Sequence, residues 1–396
     1  MNENFKKITD KLKIVLFILT MAFFFVVGLL FFARPKVSET EKRELTKFPE
    51  FSAEAFLSGE WTANVSLWYA DTYPFREGMI QANYLLESLY GLRDEVISEE
   101  AYVINGVAYQ YYAFDKTQSD KYAEEINKLA ASVEGHANVY DMVVPLHYQV
   151  SPLKDELMSK NPNASDGKEN IDYIYSKLSG SVKTVDALGE MTKHNRDYLY
   201  FRTDHHWTAR GAYYAYVAFC NKKGIMPTPL SDYEKLEFYG FLGTLYSNNG
   251  QPQDMKDNPD FVEAFVPKGT NTITVTERDG KVRNYSIVNK QTDTWYPAAG
   301  TKYNCFIAGD NPISEIHNPD KNDGSSIVII KESYGNAFVP FLVDSYEHVY
   351  VIDYRYWSGD LATFVIDNGI DDVLFLNVIN ITSTKDRIDE LSSIIH

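Results

Sequence analysis

From Ser326 to the C-terminus, apolar runs of strand length alternate with helical stretches, and no other feature of the chain restricts its fold so tightly. The runs lie at 327–331, 348–353 and 373–376, and the intervening stretches start at 337 and cover 360–368. Strands separated by helices imply crossover connections, hence a parallel sheet with helices on its faces. Runs at 139–144 and 182–186, with helical patterns at 121–133 and 171–178, extend the same theme upstream. The predicted fold class is therefore α/β, a parallel sheet flanked by helices. In such sheets ligands bind beyond the C-terminal ends of the strands. The residues that end the runs, Ser333, Asn377 and the pair His147 and Tyr148, are the first places to look for a site.

Ser333 stands between the run at 327–331 and the helix expected from 337, in a turn where free backbone N–H groups favour an anion. A base for it is offered by Thr203-Asp204-His205-His206-Trp207-Thr208. Read as extended backbone, this segment puts Asp204 and His206 on one side and His205 on the other. Thr208 is the expected N-cap of a helix over 209–220, which would hold His206 at a rigid turn. Together these residues predict a Ser/His/Asp triad: His206 takes the proton of Ser333, Asp204 orients the imidazole, and the serine attacks an acyl carbonyl. The expected oxyanion donors are the N–H groups of Ser333 and Gly335, helped by Asn336 or by Asn311 in the Gly309-Asp310-Asn311 turn. Tyr334, Arg355 and Asn377 are assigned to the same cleft, with a salt bridge for Arg355 and a helix cap for Asn377 as structural alternatives. His147 is assigned to packing. A zinc site from Asp204, His205 and His206 is the rival chemistry; adjacent histidines on a strand diverge and no third ligand is signalled. No metal or cofactor is predicted.

TDHHWT followed by KESYGN resembles the DHHW protein family, a branch of the alginate O-acetyltransferase group within the SGNH hydrolase superfamily. Asp-Thr-Tyr-Pro-Phe-Arg at 71–76 and the stretch 349–356 share the resemblance. It implies an SGNH-like sheet with the motifs in permuted order, and O-acetylation of a cell-surface or secreted polysaccharide through an acyl-serine. It also implies a partner, a membrane-bound O-acyltransferase that supplies the acetyl group. Where the family usually has Asp before the serine, this chain has Glu332. A carbohydrate acetylesterase with the same triad, and a non-catalytic polysaccharide-binding or scaffold protein, are the alternative functions.

Residues 14–33 are uncharged and mostly apolar, enough to span a bilayer as a helix. Lys6, Lys7, Lys11 and Lys13 precede them, which predicts a cytoplasmic tail at 1–13 and an extracytoplasmic remainder on a single anchor in the cell membrane. A cleaved signal peptide is the alternative, but no A-x-A-like site follows. Residues 34–100 read as a juxtamembrane linker and two helices broken at Pro74, and 101–396 as the catalytic domain. That domain opens with a hairpin around Asn105-Gly106 and carries a β-rich insertion at about 239–302, with a strand at 272–277 and a turn at Asp279-Gly280. A net charge of −17 repels a phosphate backbone and excludes nucleic acid as a partner. The 29 tyrosines serve either sugar stacking or core packing. Cys220 and Cys305 read as buried free thiols, with a disulfide as the alternative, and 320–324 fails the spacing of a calcium loop.

Overall fold

The computed structural model describes residues 3–30, 34, 37–38, 43–76, 78–79, 82, 86, 101–161, 164–291 and 299–396. They fall into two compact units, Met1–Asp94 and Glu95–His396. In the first unit, α1 (Glu3–Leu30) is long and apolar enough to cross a membrane. Its consecutive side chains Ile14 to Leu19 are all exposed, so the helix is apolar on every face. Residues 31–33 of the expected span lie outside the described residues. Helices α2 (Ala53–Leu57) and α3 (Glu60–Asp71) meet at Gly59, whose φ of 83° makes the sharp join. Phe48, Phe51 and Phe56 pack against Trp61. Pro74 does introduce a turn, in which Arg76 N–H donates to Tyr73 O. Most of the helix expected beyond it lies outside the described residues.

The second unit is built on eight strands: β1 (Asn138–Val144), β2 (Val182–Thr184), β3 (Thr272–Thr276), β4 (Val282–Ser286), β5 (Ile313–His317), β6 (Ser326–Lys331), β7 (His348–Asp353) and β8 (Asp372–Val378). Their order is β4-β3-β5-β7-β6-β8-β1-β2. The run β7-β6-β8-β1-β2 is parallel, as the alternation predicts. Every residue of β6 and β8 is buried, so these central strands are apolar along most of their length instead of alternating. Helices α4 (Lys116–Ser132), α5 (Gly167–Lys177), α6 (Ala209–Lys223), α7 (Gly335–Leu342), α8 (Leu361–Asp367) and α9 (Lys385–Ser392) accompany the sheet.

Local chemistry sets the ends. Thr208 caps α6, its Oγ1 accepting from Gly211 N–H, and Gly224 ends it at φ 82°. Helix α4 begins five residues before the expected 121 because Asp115 accepts from Thr117 and Gln118 N–H, a polar cap to which apolar periodicity is blind. The hairpin Ala101–Ile104/Val107–Gln110 turns at Asn105 and Gly106, both with positive φ.

The segment expected as a β-rich insertion is divided. Strands β3 and β4 join β5 as an antiparallel extension of the main sheet, while Glu234–Phe241 pairs with Asp260–Val266 as a separate hairpin. Strand β5 and helix α9 had no counterpart in the expected elements. Both are short, and each buries only two residues, Ser314 and Ile316 in β5 and Ile388 and Leu391 in α9, too few for a clear period. Cys220 and Cys305 are free and buried.

Candidate active site

Strand β6 ends at Lys331, and the next residues turn at once into α7. Gly335 makes so tight a turn possible, since a Cβ there would lie 2.6 Å from Lys331 Cβ. Its N–H donates to Glu332 O, and Asn336 N–H donates to Ser333 O, which also receives the hydroxyl of Tyr303 at 3.1 Å. The turn presents Ser333 Oγ at the C-terminal end of a central parallel strand.

Facing it is the loop before α6. Residues 202–206 form a run of bends, closed by a bridge between Tyr200 and Trp207. The extended geometry read from the sequence is thus replaced by a turn. Asp204 and His206 meet because Asp204 Oδ1 accepts both the backbone N–H (3.0 Å) and the Nδ1–H (2.6 Å) of His206, as short acidic side chains do in turns. With Nδ1 protonated toward a carboxylate, Nε2 is the acceptor, and it lies 2.8 Å from Ser333 Oγ. The serine hydroxyl has a second acceptor in Glu332 Oε2 at 3.3 Å. The His206 ring stacks on Tyr303 with centroids 4.1 Å apart. Trp207 Nε1–H donates to Tyr334 O at 2.9 Å and the Tyr334 hydroxyl donates to His205 O, so the base loop and the serine turn are fastened to each other twice.

The 234–266 region supports Asp204. Asp204 Oδ2 accepts from Thr244 N–H (2.8 Å) and Oγ1–H (3.1 Å). Gly243 comes so close that a Cβ would sit 2.2 Å from Asp204 Cβ. Just before Asp204, Thr203 N–H donates to buried Asp260 at 2.7 Å, and Arg202 pairs with the same carboxylate at 3.1 Å.

Burial of Asp204 opposes its charge, but His205, His206 and the donors of His206 and Thr244 outweigh that and hold its carboxyl well below the usual range. Burial and the neighbouring His206 push His205 down to about 4, although 31% of its side chain reaches solvent. Glu332 is raised by burial, partly offset by Tyr334 and Val378 N–H groups. Behind the serine, Lys331 lies between Asp310 (3.0 Å) and Asp353 (2.9 Å), and Arg355 pairs with the same two carboxylates. The charges of the four groups balance.

A cavity of about 610 Å³ opens over Ser333, lined also by His205, Thr244, Asn248, Glu332, Tyr334, Arg355 and Arg387. Ser333, Tyr334 and Arg355 thus line one cavity, Arg355 at the same time making its salt bridges. Four other assignments are corrected. Asn377 is fully buried and links the hydroxyls of Tyr354 and Tyr122 inside the sheet, because it falls within β8 and not beyond it. Asn311 donates to Ala308 O in its own turn and does not line the cavity. The N–H of Gly335 is committed to Glu332 O, leaving Ser333 N–H as the backbone donor without an acceptor among the described residues. Asn336 is 2% exposed, and its amide donates to Asp310. Thr244, Tyr303, Asn248 and Arg387 had no signal in the sequence, since nothing local marks a residue whose role comes from another segment.

The donor atoms of Asp204, His205 and His206 lie within 4.8 Å of one another, so the bend brings together side chains that a strand would have separated. All are engaged: His205 Nδ1 with Thr244 Oγ1 at 2.6 Å, and the others within the relay. His147 stacks between Tyr109 and Tyr200, in keeping with a packing role.

No curated protein matches the chain. Among solved structures it is similar to a DHHW family protein from Eubacterium siraeum, with 29% identity and a TM-score of 0.65 over 76% of this chain and 98% of that one. It is similar also to Bacillus cereus PatB1 with a sulfonyl adduct, with 20% identity and a TM-score of 0.61 over 75% of this chain and 100% of that one. The model of the family described as DHHW protein matches residues 41–101 and 98–352, which include the base loop and the serine turn. The chain belongs to the DHHW protein family, on an SGNH-like α/β fold.

Proposed function

We propose that this chain is a membrane-anchored, extracytoplasmic O-acetyltransferase that carries an acetyl group on Ser333 and passes it to a hydroxyl of a cell-surface or secreted polysaccharide. The observation that carries this reading is the continuous relay Asp204–His206–Ser333, with steps of 2.6 and 2.8 Å. His206 Nε2 takes the proton as Ser333 Oγ attacks the acyl carbonyl, and the proton passes to the departing oxygen of the donor. Ser333 N–H stabilises the oxyanion. The cycle then runs in reverse with a sugar hydroxyl: His206 takes its proton, the hydroxyl oxygen attacks the ester, and Ser333 regains its hydrogen. The cavity over Ser333, about 610 Å³, is of the size that holds a sugar-sized ligand. In this reading α1 anchors the chain with its lysines in the cytoplasm, and a membrane-bound O-acyltransferase delivers the acetyl group to the outer face.

The test uses the full chain in detergent with p-nitrophenyl acetate. Intact mass should show one acetyl group, absent in Ser333→Ala. Adding an oligosaccharide acceptor should then yield acetylated sugar faster than acetate. Acetate release indifferent to every acceptor would make the protein an esterase, and a wild-type chain that takes up no acetyl group would favour the non-catalytic binding role.

A further inference from the structure

At the other end of the sheet from Ser333, two histidines face each other across neighbouring strands. His317, the last residue of β5, pairs directly with His348, the first of β7, and their ring centroids are 5.0 Å apart. His348 pairs in turn with Ser326 at the start of β6, whereas Ser333 lies beyond that strand's far end, roughly 20 Å away at the rise of a strand. Glu347 completes the group: its Oε1 is 3.5 Å from His348 Nε2 and 3.8 Å from His317 Nε2.

Glu347 is held in that position from several sides. Its Oε2 accepts from Gly324 N–H at 2.7 Å, its N–H donates to Ser325 O, and its carbonyl accepts from Asn318 N–H. With Oε2 occupied, Oε1 is left facing both imidazoles. The separations of 3.5 and 3.8 Å exceed the usual length of an N–H···O bond, about 2.7–3.2 Å. They are close to the edge of a tetrahedron of zinc ligands, which for bonds of about 2.0–2.1 Å is about 3.3–3.4 Å. All three donor atoms lie within 4.8 Å of one another. The imidazoles are open to solvent, with 58% and 40% of the side chains exposed, while Glu347 is 13% exposed.

From this arrangement we infer that His317, Glu347 and His348 form a surface site for a divalent transition-metal ion, with zinc as the representative. Two neutral imidazoles and one carboxylate make a donor set suited to zinc, nickel or copper and poorly suited to calcium or magnesium. Three protein ligands leave a fourth position for water or an exchangeable ligand. A net charge of −17 favours cation capture at the surface. The site lies outside the proposed triad, and its occupancy is independent of acyl transfer.

The test is calorimetric titration of zinc chloride into the full-length, untagged chain, freed of metal beforehand, with cobalt as a spectroscopic stand-in. The wild type should bind one zinc ion per chain and give the intense visible absorption of tetrahedral cobalt. Because the imidazoles are exposed, His317→Ala and His348→Ala should keep their circular dichroism and their acetylation at Ser333 while weakening zinc at least tenfold, and Glu347→Gln should weaken it less. Zinc binding unchanged in the His317→Ala/His348→Ala double variant overturns the assignment, as does loss of the bound ion in His205→Ala instead. Absence of zinc binding by the folded wild type overturns it as well.

Discussion

His206 is fixed on all the sides that matter to a base: Nδ1 by Asp204, the ring face by Tyr303, the backbone by the same Asp204 oxygen, and Nε2 aimed at Ser333. Asp204→Asn keeps the size of the side chain and removes its ability to hold the imidazole in one tautomer. Acetylation of Ser333 should fall by roughly 10³–10⁴-fold with little change in the circular dichroism spectrum. Gly243→Ala tests the support of the acid and not the acid itself. Its methyl would collide with Asp204 Cβ, so the loop must shift; stability should drop by about 1–3 kcal/mol and acetylation by more than tenfold, read by urea melts and intact-mass kinetics. Gly243→Ser should be no better tolerated, because the obstacle is the Cβ.

The hairpin Glu234–Phe241/Asp260–Val266 matters through one residue at its second strand. Asp260, buried, receives the N–H groups of both Arg202 and Thr203 and pairs with the Arg202 side chain. Asp260→Ala leaves those donors without their acceptor, and a loss of about 3–5 kcal/mol in chemical denaturation is expected, together with slowed acetylation. This part of the architecture was hardest to read from sequence. The parallel strands were legible because β6 and β8 are buried on both faces and so print a continuous apolar run. The meeting of Asp204, His206 and Ser333 was legible because Asp204 and His206 are neighbours and Ser333 follows one of those runs. Two local geometries differ from the sequence reading: the loop before α6 is bent where extended backbone is expected, and Asn377 sits inside its strand instead of after it. Thr244, Tyr303 and Asp260 reach the site from segments between 30 and 97 residues away from the groups they touch, and single-sequence patterns carry no trace of such pairings.

For the molecule as a whole, acid sensitivity has an identifiable source besides its many carboxylates. Burial pushes His147 down to about 4 from its ordinary 6.5, against a smaller opposing effect of the Ala108 carbonyl, and its Nδ1 has no partner among the described residues. Between those pH values the unfolded chain takes up a proton that the folded one refuses. Stability is therefore complete above pH 6.5 and falls as pH drops toward 4, by up to about 1.4 kcal/mol per pH unit from this residue. His205 acts in the same direction. His147→Phe should flatten the decline in urea midpoint between pH 7.5 and pH 5 relative to wild type; equal declines in the two proteins would assign the acid sensitivity elsewhere.

The order of the sheet also governs when the chain becomes competent during its synthesis. Strand β8, the last of the eight in sequence, lies between β6, beyond whose end Ser333 stands, and β1, made more than two hundred residues earlier. A nascent or truncated chain that stops before β8 lacks the middle of its sheet, not an edge. Contacts of that span are slow to form. Ser333 and His206 are thus held in stable mutual alignment only after β8 is in place between its neighbours, and a chain that stops before β8 holds both residues without the frame that aligns them.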